Sequence, residues 1–460
     1  MGPRPVDMTK DPAQALARKL ADDGVTVVAL GWVDNAGISR VKAIPVGRLP
    51  DTAARGVGMS PVFDVFTSDD AITLSPHLGG PDGDLRLFPG LERLTVLSAQ
   101  SGWAWAPVDR YDQQGTPHPA CQRQFARRMA ARAAEAGLTL RMGFETEWVV
   151  VREDAPDPDL QGYACRGPAY GMTRLVELSD YLRDVTEALL AQGVDVLQIH
   201  PENAPGQFEV STAASDPVAA ADEVLLVRET IRAVSLRHGL RASFAPSVVA
   251  GQVGNGAHLH LSLAREGVSL HRAADAEFGL AQDAMRFLGG ILESLPALLA
   301  IGCPSPASYL RLAPSRWAGV YRCWGVENRE AALRLVPGAP DDPDGGHAEI
   351  KCFDAAANPY LVVGTVIAAG LSGIEGKVQL PPPVVGDPEE LGRQERAARG
   401  ISRLPATLSE ATGRLETDAV LREALGDVLH GAVIAVRRAE ASQLADHGPE
   451  ELVAATRWRY

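Results

Sequence analysis

The segment LRMGFETEWVVV, residues 140–151, decides how the chain is read. Its density of Val, Phe and Trp marks a β-strand. Parity divides it: Leu140, Met142, Phe144, Trp148 and Val150 point one way, and Arg141, Glu145 and Glu147 the other. Same-face neighbours on a strand lie roughly 6.5–7 Å apart. One face is therefore apolar and fit for packing, while the opposite face carries two acids side by side.

Three further segments repeat this arrangement. HLHLSL (258–263) sets His258, His260 and Ser262 against three leucines. AEIKCF (348–353) sets Glu349 and Lys351 against Ile350 and Cys352. IHPENAPGQFEV (199–210) supplies Glu202 before a Gly-containing turn, then Glu209 between Phe208 and Val210. If these strands share one sheet, five carboxylates and an imidazole converge. Carboxylates that close cannot all ionise without compensation. Divalent cations are the natural compensation, and a carboxylate-rich donor set that keeps water favours Mg²⁺, with Mn²⁺ acceptable beside a His. Spacing alone does not show that the strands meet.

The rest of the chain frames these strands. Its 460 residues exceed one simple core, so one large or two unequal domains are expected. A formal net charge of −14 argues against a general binder of nucleic acid or anionic membrane. Five scattered cysteines, none in a CxxC pair, point away from a disulfide framework or zinc knuckle and toward a reducing cytosol. The start, MGPRPVDMTKDP, has no apolar core of the signal-peptide kind. The run LVVGTVIAAGLSGI (361–374) is too short to span a bilayer and reads as a buried helix.

Residues 25–45 read as two strands joined at DNAG, and DLRLFP and LTVLSA continue a strand-rich start. The polar stretch 107–120 is the candidate domain boundary. Helices are expected near 122–136, 174–193, 216–238, 277–300, 357–374 and 418–444. Strands are expected near 138–152, 194–202, 206–212, 243–249, 257–263, 331–336 and 347–353. The sum is a small β-rich N-terminal domain and a larger α+β domain.

Eight motifs then appear in order: VDNAGISRVKAIP, DGDLRLFP, GFETEW, HPENAPGQFEV, GNGAHLHLSL, SYLRL, ENREAALRLV and AEIKCFDAAANPYL. With them the chain resembles the glutamine synthetase family over nearly its full length. It is most similar to the actinobacterial branch that includes γ-glutamylpolyamine and γ-glutamylethanolamide synthetases. The resemblance implies an α+β protein with an N-terminal β-grasp domain (1–108) and a large catalytic domain (109–460) built on a curved antiparallel sheet. It implies a cytoplasmic homo-oligomer, usually a dodecamer, with active sites between subunits. ATP would phosphorylate the γ-carboxylate of L-glutamate, and an amine would attack the acyl phosphate. Glu147, Glu202 and Glu209 would hold one metal, and Glu145, His258 and Glu349 a second. Arg311 would grip the α-carboxylate of glutamate. Arg329 and Arg334 would contact the ATP phosphates, and the backbone at Gly254 would touch glutamate. Arg suits planar carboxylate and phosphate partners.

Three departures bear on the amine. The family's ammonium site takes an acid from the N-terminal domain, but the matching region here, RGVGMSPVFDVF, has none in place, although Asp64 is near. In RLAPSRWAG, Trp317 falls at or next to the position of the family's flap glutamate. A family arginine two residues past the last metal ligand is Lys351. Ammonium needs carboxylates to bind it and take its proton, so these changes weaken the case for ammonia, and Trp317 offers an apolar or cation–π wall to an organic amine. No tyrosine occupies QLPPPVVGDPEEL, the region that is adenylylated in some bacterial relatives. The expected activity is an ATP-dependent glutamate–amine ligase, with ethanolamine favoured on overall likeness. The alternatives are a glutamine synthetase with a remodelled ammonium site and a non-catalytic nitrogen-sensing homologue.

Overall fold

The computed structural model describes residues 10–154, 162–273, 276–339 and 341–460. The segment MGPRPVDMT at the start, part of the stretch read above as lacking an apolar core, lies outside the described residues.

The first sheet has six strands. Val27–Val33 and Ser39–Pro45 form the expected hairpin around the DNAG turn. Val27–Val33 also runs parallel to Trp103–Tyr111, which pairs in turn with Leu85–Pro89. Leu20 of the helix Lys10–Asp22 joins Val28, Leu30, Trp32, Leu87 and Ala104 in one buried cluster, so a helix closes a mixed sheet in the β-grasp manner. The strand Trp103–Tyr111 carries this sheet through the start of the stretch read as a boundary, past residue 108. Its alternation of buried and half-buried side chains explains why a polar-looking segment is a strand.

The second sheet has ten strands, with Thr139–Arg152 near its centre. That strand pairs antiparallel with Leu259–Arg265, with Gln207–Thr212 and with Leu240–Ser243. His347–Ile350 joins Leu259–Arg265 to Ala331–Val336. One pair is parallel: Tyr321–Val326 beside Ala331–Val336, the first of these a strand that was not expected. The apolar parity of the central strand is buried as anticipated, with Met142, Trp148 and Val150 inaccessible. Helices Gln122–Glu135, Gln282–Gly302 and Pro359–Glu375 pack around Met142, while Trp148 and Val150 lie in a second cluster with helices Ser179–Ala191 and Pro217–Arg237. Gln282–Gly302 is long and apolar enough to cross a membrane by length and composition, but it is a mostly buried helix packed against Pro359–Glu375.

Several elements depart from expectation. The helix expected over 174–193 is two, Met172–Glu177 and Ser179–Ala191. The strand expected over 243–249 ends at Ser243: the Phe244 amide goes to the carbonyl of Tyr460, and Pro246 has no N–H to offer a ladder. Helices Lys10–Asp22, Leu408–Thr417 and Pro449–Thr456 were not anticipated.

The two sheets are joined by buried polar contacts. Arg110 grips Asp64 with both carboxylate oxygens at 2.7–2.8 Å, and Gln122 reaches Asp64 at 3.1 Å and Asn35 at 2.7 Å. Asp64 is fully buried, so the acid noted near the missing ammonium-site residue is committed to Arg110 within its own chain. Asn358 caps the helix Pro359–Glu375 through Tyr360 and Leu361, and its amide group donates to the Val33 and Asp34 carbonyls.

Candidate active site

Strand register brings the acids together. Glu147 lies opposite Glu209, and His200 lies opposite Glu209 from the other side. Glu349 lies opposite both His260 and Arg334. His258 sits just before Leu259–Arg265, and its carbonyl accepts the Glu145 amide at 3.0 Å. Directly opposed residues on a sheet bring side chains within contact range.

A cavity of about 1130 Å³ opens on this face. Glu145, Glu147, Glu202, Glu209 and His258 line it, as do Gly254, Arg311, Arg329 and Arg334. Glu349, the tenth residue singled out from the sequence, is only 1% exposed and lies beneath the surface of the cavity. Its carboxylate accepts from Arg334 Nη1 and Lys351 Nζ, each at 3.0 Å, and lies 3.2 Å from His258 Nδ1. The same Nδ1 is 2.9 Å from Glu145. Glu147 accepts from Gln207 Nε2 and the Gly256 amide, both at 2.9 Å. Glu202 accepts from Tyr170 at 2.9 Å and from the Asn203 amide at 3.0 Å.

Two groups of possible ligand atoms gather within 4.8 Å: Glu145, His260 and Glu349, and His200, Glu202 and Glu209. The first has His260 in the place expected for His258, with His260 Nε2 3.1 Å from Glu145; His258 lies outside this tighter group, within 2.9 Å of Glu145 and 3.2 Å of Glu349. The second adds His200, whose ring nitrogens lie 3.7 Å from Glu202 and 3.3 Å from Glu209. Glu147 is outside this tighter group and is held instead by Gln207 and Gly256. His200, His260 and Gln207 were not among the site residues read from the sequence. His260 shares the parity of His258 in HLHLSL, and His200 shares that of Glu202 in IHPE, so a signal was present for both.

The electrostatics divide the site. Burial pushes the Glu147 carboxyl up, against the pull of His258 and Arg311. Burial raises Glu202, and the neighbouring Glu209 charge adds to it. Burial also raises Glu209, where the bond to His200 opposes it. At Glu145 burial is outweighed by bonds to His258 and His260, which hold the carboxyl below the usual range. Glu349 is likewise held low, by His258 and Lys351, in spite of its burial. His258 is raised to about 9: burial and Lys351 oppose the shift, but Glu145 and Glu349 prevail. Carboxylates pushed up by one another and by burial, with imidazoles drawn in as counter-charges, fit a donor set made for divalent cations.

The basic groups surround these acids. Arg311, nine-tenths buried, donates to the Cys352 and Lys351 carbonyls at 3.1 Å and approaches His258 Nε2 at 3.2 Å. Arg334 Nε is buried with no acceptor among the described residues, which fits an anionic ligand beside it. A second cavity of about 560 Å³, lined by His260, Ser262 and His347, shares Glu145, Gln198 and Arg334 with the first. Glu145 and Arg334 thus stand where the two openings meet. Trp317 lines the larger cavity with positive φ (55°), and the Arg329 guanidinium lies 5.8 Å from its ring centroid.

Comparison with known proteins agrees with this geometry. Residues 119–452 match the family described as glutamine synthetase, catalytic domain. The γ-glutamylpolyamine synthetase GlnA3 of Streptomyces coelicolor is 55% identical over 461 residues, spanning 100% of this chain and 98% of that protein. The glutamine synthetase of Pyrococcus abyssi is 33% identical over 443 residues, 94% of each chain. A crystal structure described as a novel glutamine synthase homolog superposes with a TM-score of 0.85 at 31% identity, covering 95% of this chain and 99% of that one. A GmaS–ADP complex superposes with a TM-score of 0.81 at 29% identity, covering 95% and 97%. The chain belongs to the glutamine synthetase family, whose enzymes are ATP-dependent glutamate–amine ligases that use divalent metal ions.

Proposed function

We propose that this protein joins the γ-carboxylate of L-glutamate to a polyamine, at the expense of ATP and through a γ-glutamyl phosphate. The observation that carries the ligase reading is the gathering of Glu145, Glu147, Glu202, Glu209, His258 and Arg334 on one large cavity, with Glu349 bonded to Arg334 beneath it. The choice of a polyamine is supported by the 55% identity to a γ-glutamylpolyamine synthetase. Ethanolamine, expected from overall likeness, becomes the second amine to test. The commitment of Asp64 to Arg110 and the presence of Trp317 in the cavity support an organic amine over ammonium.

In this reading Glu147, Glu202 and Glu209 hold one divalent cation, and Glu145, His258 and Glu349 a second, with His200 and His260 adjacent to them. Mg²⁺ or Mn²⁺, when bound, screens charge on the phosphates. Arg334, fixed by Glu349, offers its unpaired Nε to an anionic oxygen. Arg329 serves the phosphates from the rim. Arg311 binds the glutamate α-carboxylate, near the backbone at Gly254. The small cavity beside His260 and Ser262 suits the nucleotide, and the large one glutamate and the amine. The protein works as a cytoplasmic homo-oligomer, with a dodecamer as the expected form and an N-terminal domain that runs to the end of the strand Trp103–Tyr111, beyond the boundary expected at residue 108.

The test is phosphate release with ATP, Mg²⁺, L-glutamate and a panel of ammonium, ethanolamine, putrescine and spermidine. The expected result is a kcat/KM for a polyamine on the order of 100-fold above that for ammonium. A preference for ammonium would restore the glutamine synthetase reading, and turnover with none of the amines would point to a non-catalytic homologue.

A further inference from the structure

Glu330 stands between Arg329 and the strand Ala331–Val336 that carries Arg334. Its side chain is nine-tenths buried. Its Oε1 accepts the backbone N–H of Trp317 at 2.9 Å, and among the described residues no Lys, Arg or His lies within ion-pair distance of it. The acids that line the large cavity have a different lot: Glu145, Glu147, Glu202 and Glu209 each have a basic side chain within 4 Å. Burial pushes the Glu330 carboxyl up, the Asp387 charge adds to this, and Lys351 offsets it only in part. A carboxylate so enclosed, with one backbone donor and no cation, is costly to keep charged unless a cation joins it.

The surroundings of Glu330 suit an organic cation. Trp317 and Arg329, on either side of it, both line the large cavity. Trp317 is 55% exposed, and its ring already faces one cation, the Arg329 guanidinium. One carboxylate beside an aromatic ring is too few hard donors for a divalent metal, but it matches an alkylammonium group, which takes a charge-assisted hydrogen bond on one side and a cation–π contact on the other. Resting on the amine-ligase reading above, we propose that Glu330 is the carboxylate that receives the protonated amine substrate, with the Trp317 indole as the second wall of that subsite. The acid absent at position 317 of the chain is thus supplied in space from position 330.

Glu330→Gln separates this role from a structural one, because the amide oxygen still accepts the Trp317 N–H while the charge is lost. The expected result is a rise in KM for spermidine of about tenfold or more, with KM for ATP and glutamate within about twofold of wild type. Glu330→Asp should recover part of the loss. A Glu330→Gln enzyme whose amine KM stays within about twofold, or whose three KM values rise together, overturns the proposal. The wild-type amine panel keeps the two ideas apart. If ammonium is the preferred amine, the polyamine reading fails, and the KM of Glu330→Gln for ammonium still decides the role of Glu330.

Discussion

Glu349→Ala is expected to lower kcat for ATP- and glutamate-dependent phosphate release by at least about 10³-fold, or about 4 kcal/mol of transition-state stabilisation. The size follows from where this carboxylate sits. It is 1% exposed and touches Arg334, Lys351 and His258. Removing it leaves Arg334 and Lys351 as enclosed cations without their partner, and it takes one ligand from the proposed second metal position. Single-turnover assays should show the loss in the formation of the acyl phosphate, before any amine is added. Circular dichroism on the same variant separates this loss from misfolding. A variant with near wild-type turnover would remove Glu349 from the site.

A loss nearly as large is expected from a change that removes no charged group. A Cβ built at Gly256 would lie 2.5 Å from His258 Nε2, 2.8 Å from Arg311 Nη2 and 3.0 Å from Glu147 Oε1. Gly256 also donates its amide to Glu147 and accepts the Glu147 amide at its carbonyl, so it cannot retreat without breaking the pairing. Gly256→Ala must therefore displace one member from each proposed metal set together with Arg311, the arginine proposed to bind glutamate. Misplacement by about 1 Å costs on the order of 100-fold in rate, and here three groups move at once. The expected kcat/KM for glutamate falls by at least about 10²-fold, with the fold retained by circular dichroism. A Gly256→Ala enzyme with unchanged kinetics would mean that the loop 254–257 is looser than its contacts indicate.

The sequence carried the fold through periodicity, and the site only in part. Parity in LRMGFETEWVVV separates the buried Met142, Trp148 and Val150 from Glu145 and Glu147, because a strand turns alternate side chains to opposite faces. The convergence of Glu145, Glu209, His258 and Glu349 is a matter of register between strands far apart in the chain. Nothing local encodes it, and only the ordered motifs of a known family suggested it. Local reading failed where a residue's partner is remote. Asp64 was noted only as an acid near the region that lacks the ammonium-site residue, and its partner Arg110 lies in a stretch read as a boundary. Glu330 drew no notice as a neighbour of Arg329 in NREAALR, and its meaning depends on the amide of Trp317, thirteen residues earlier in the chain. The strand Tyr321–Val326 was missed because its partners include the parallel neighbour Ala331–Val336 rather than a simple hairpin mate.

The central claim is that six side chains from distant parts of the chain share a pair of divalent ions. Anomalous diffraction from crystals grown with Mn²⁺ tests it most directly. The account predicts two peaks per subunit in the large cavity, one among Glu147, Glu202 and Glu209 and the other among Glu145, His258 and Glu349. Crystals at saturating Mn²⁺ with no anomalous peak among these carboxylates would contradict it.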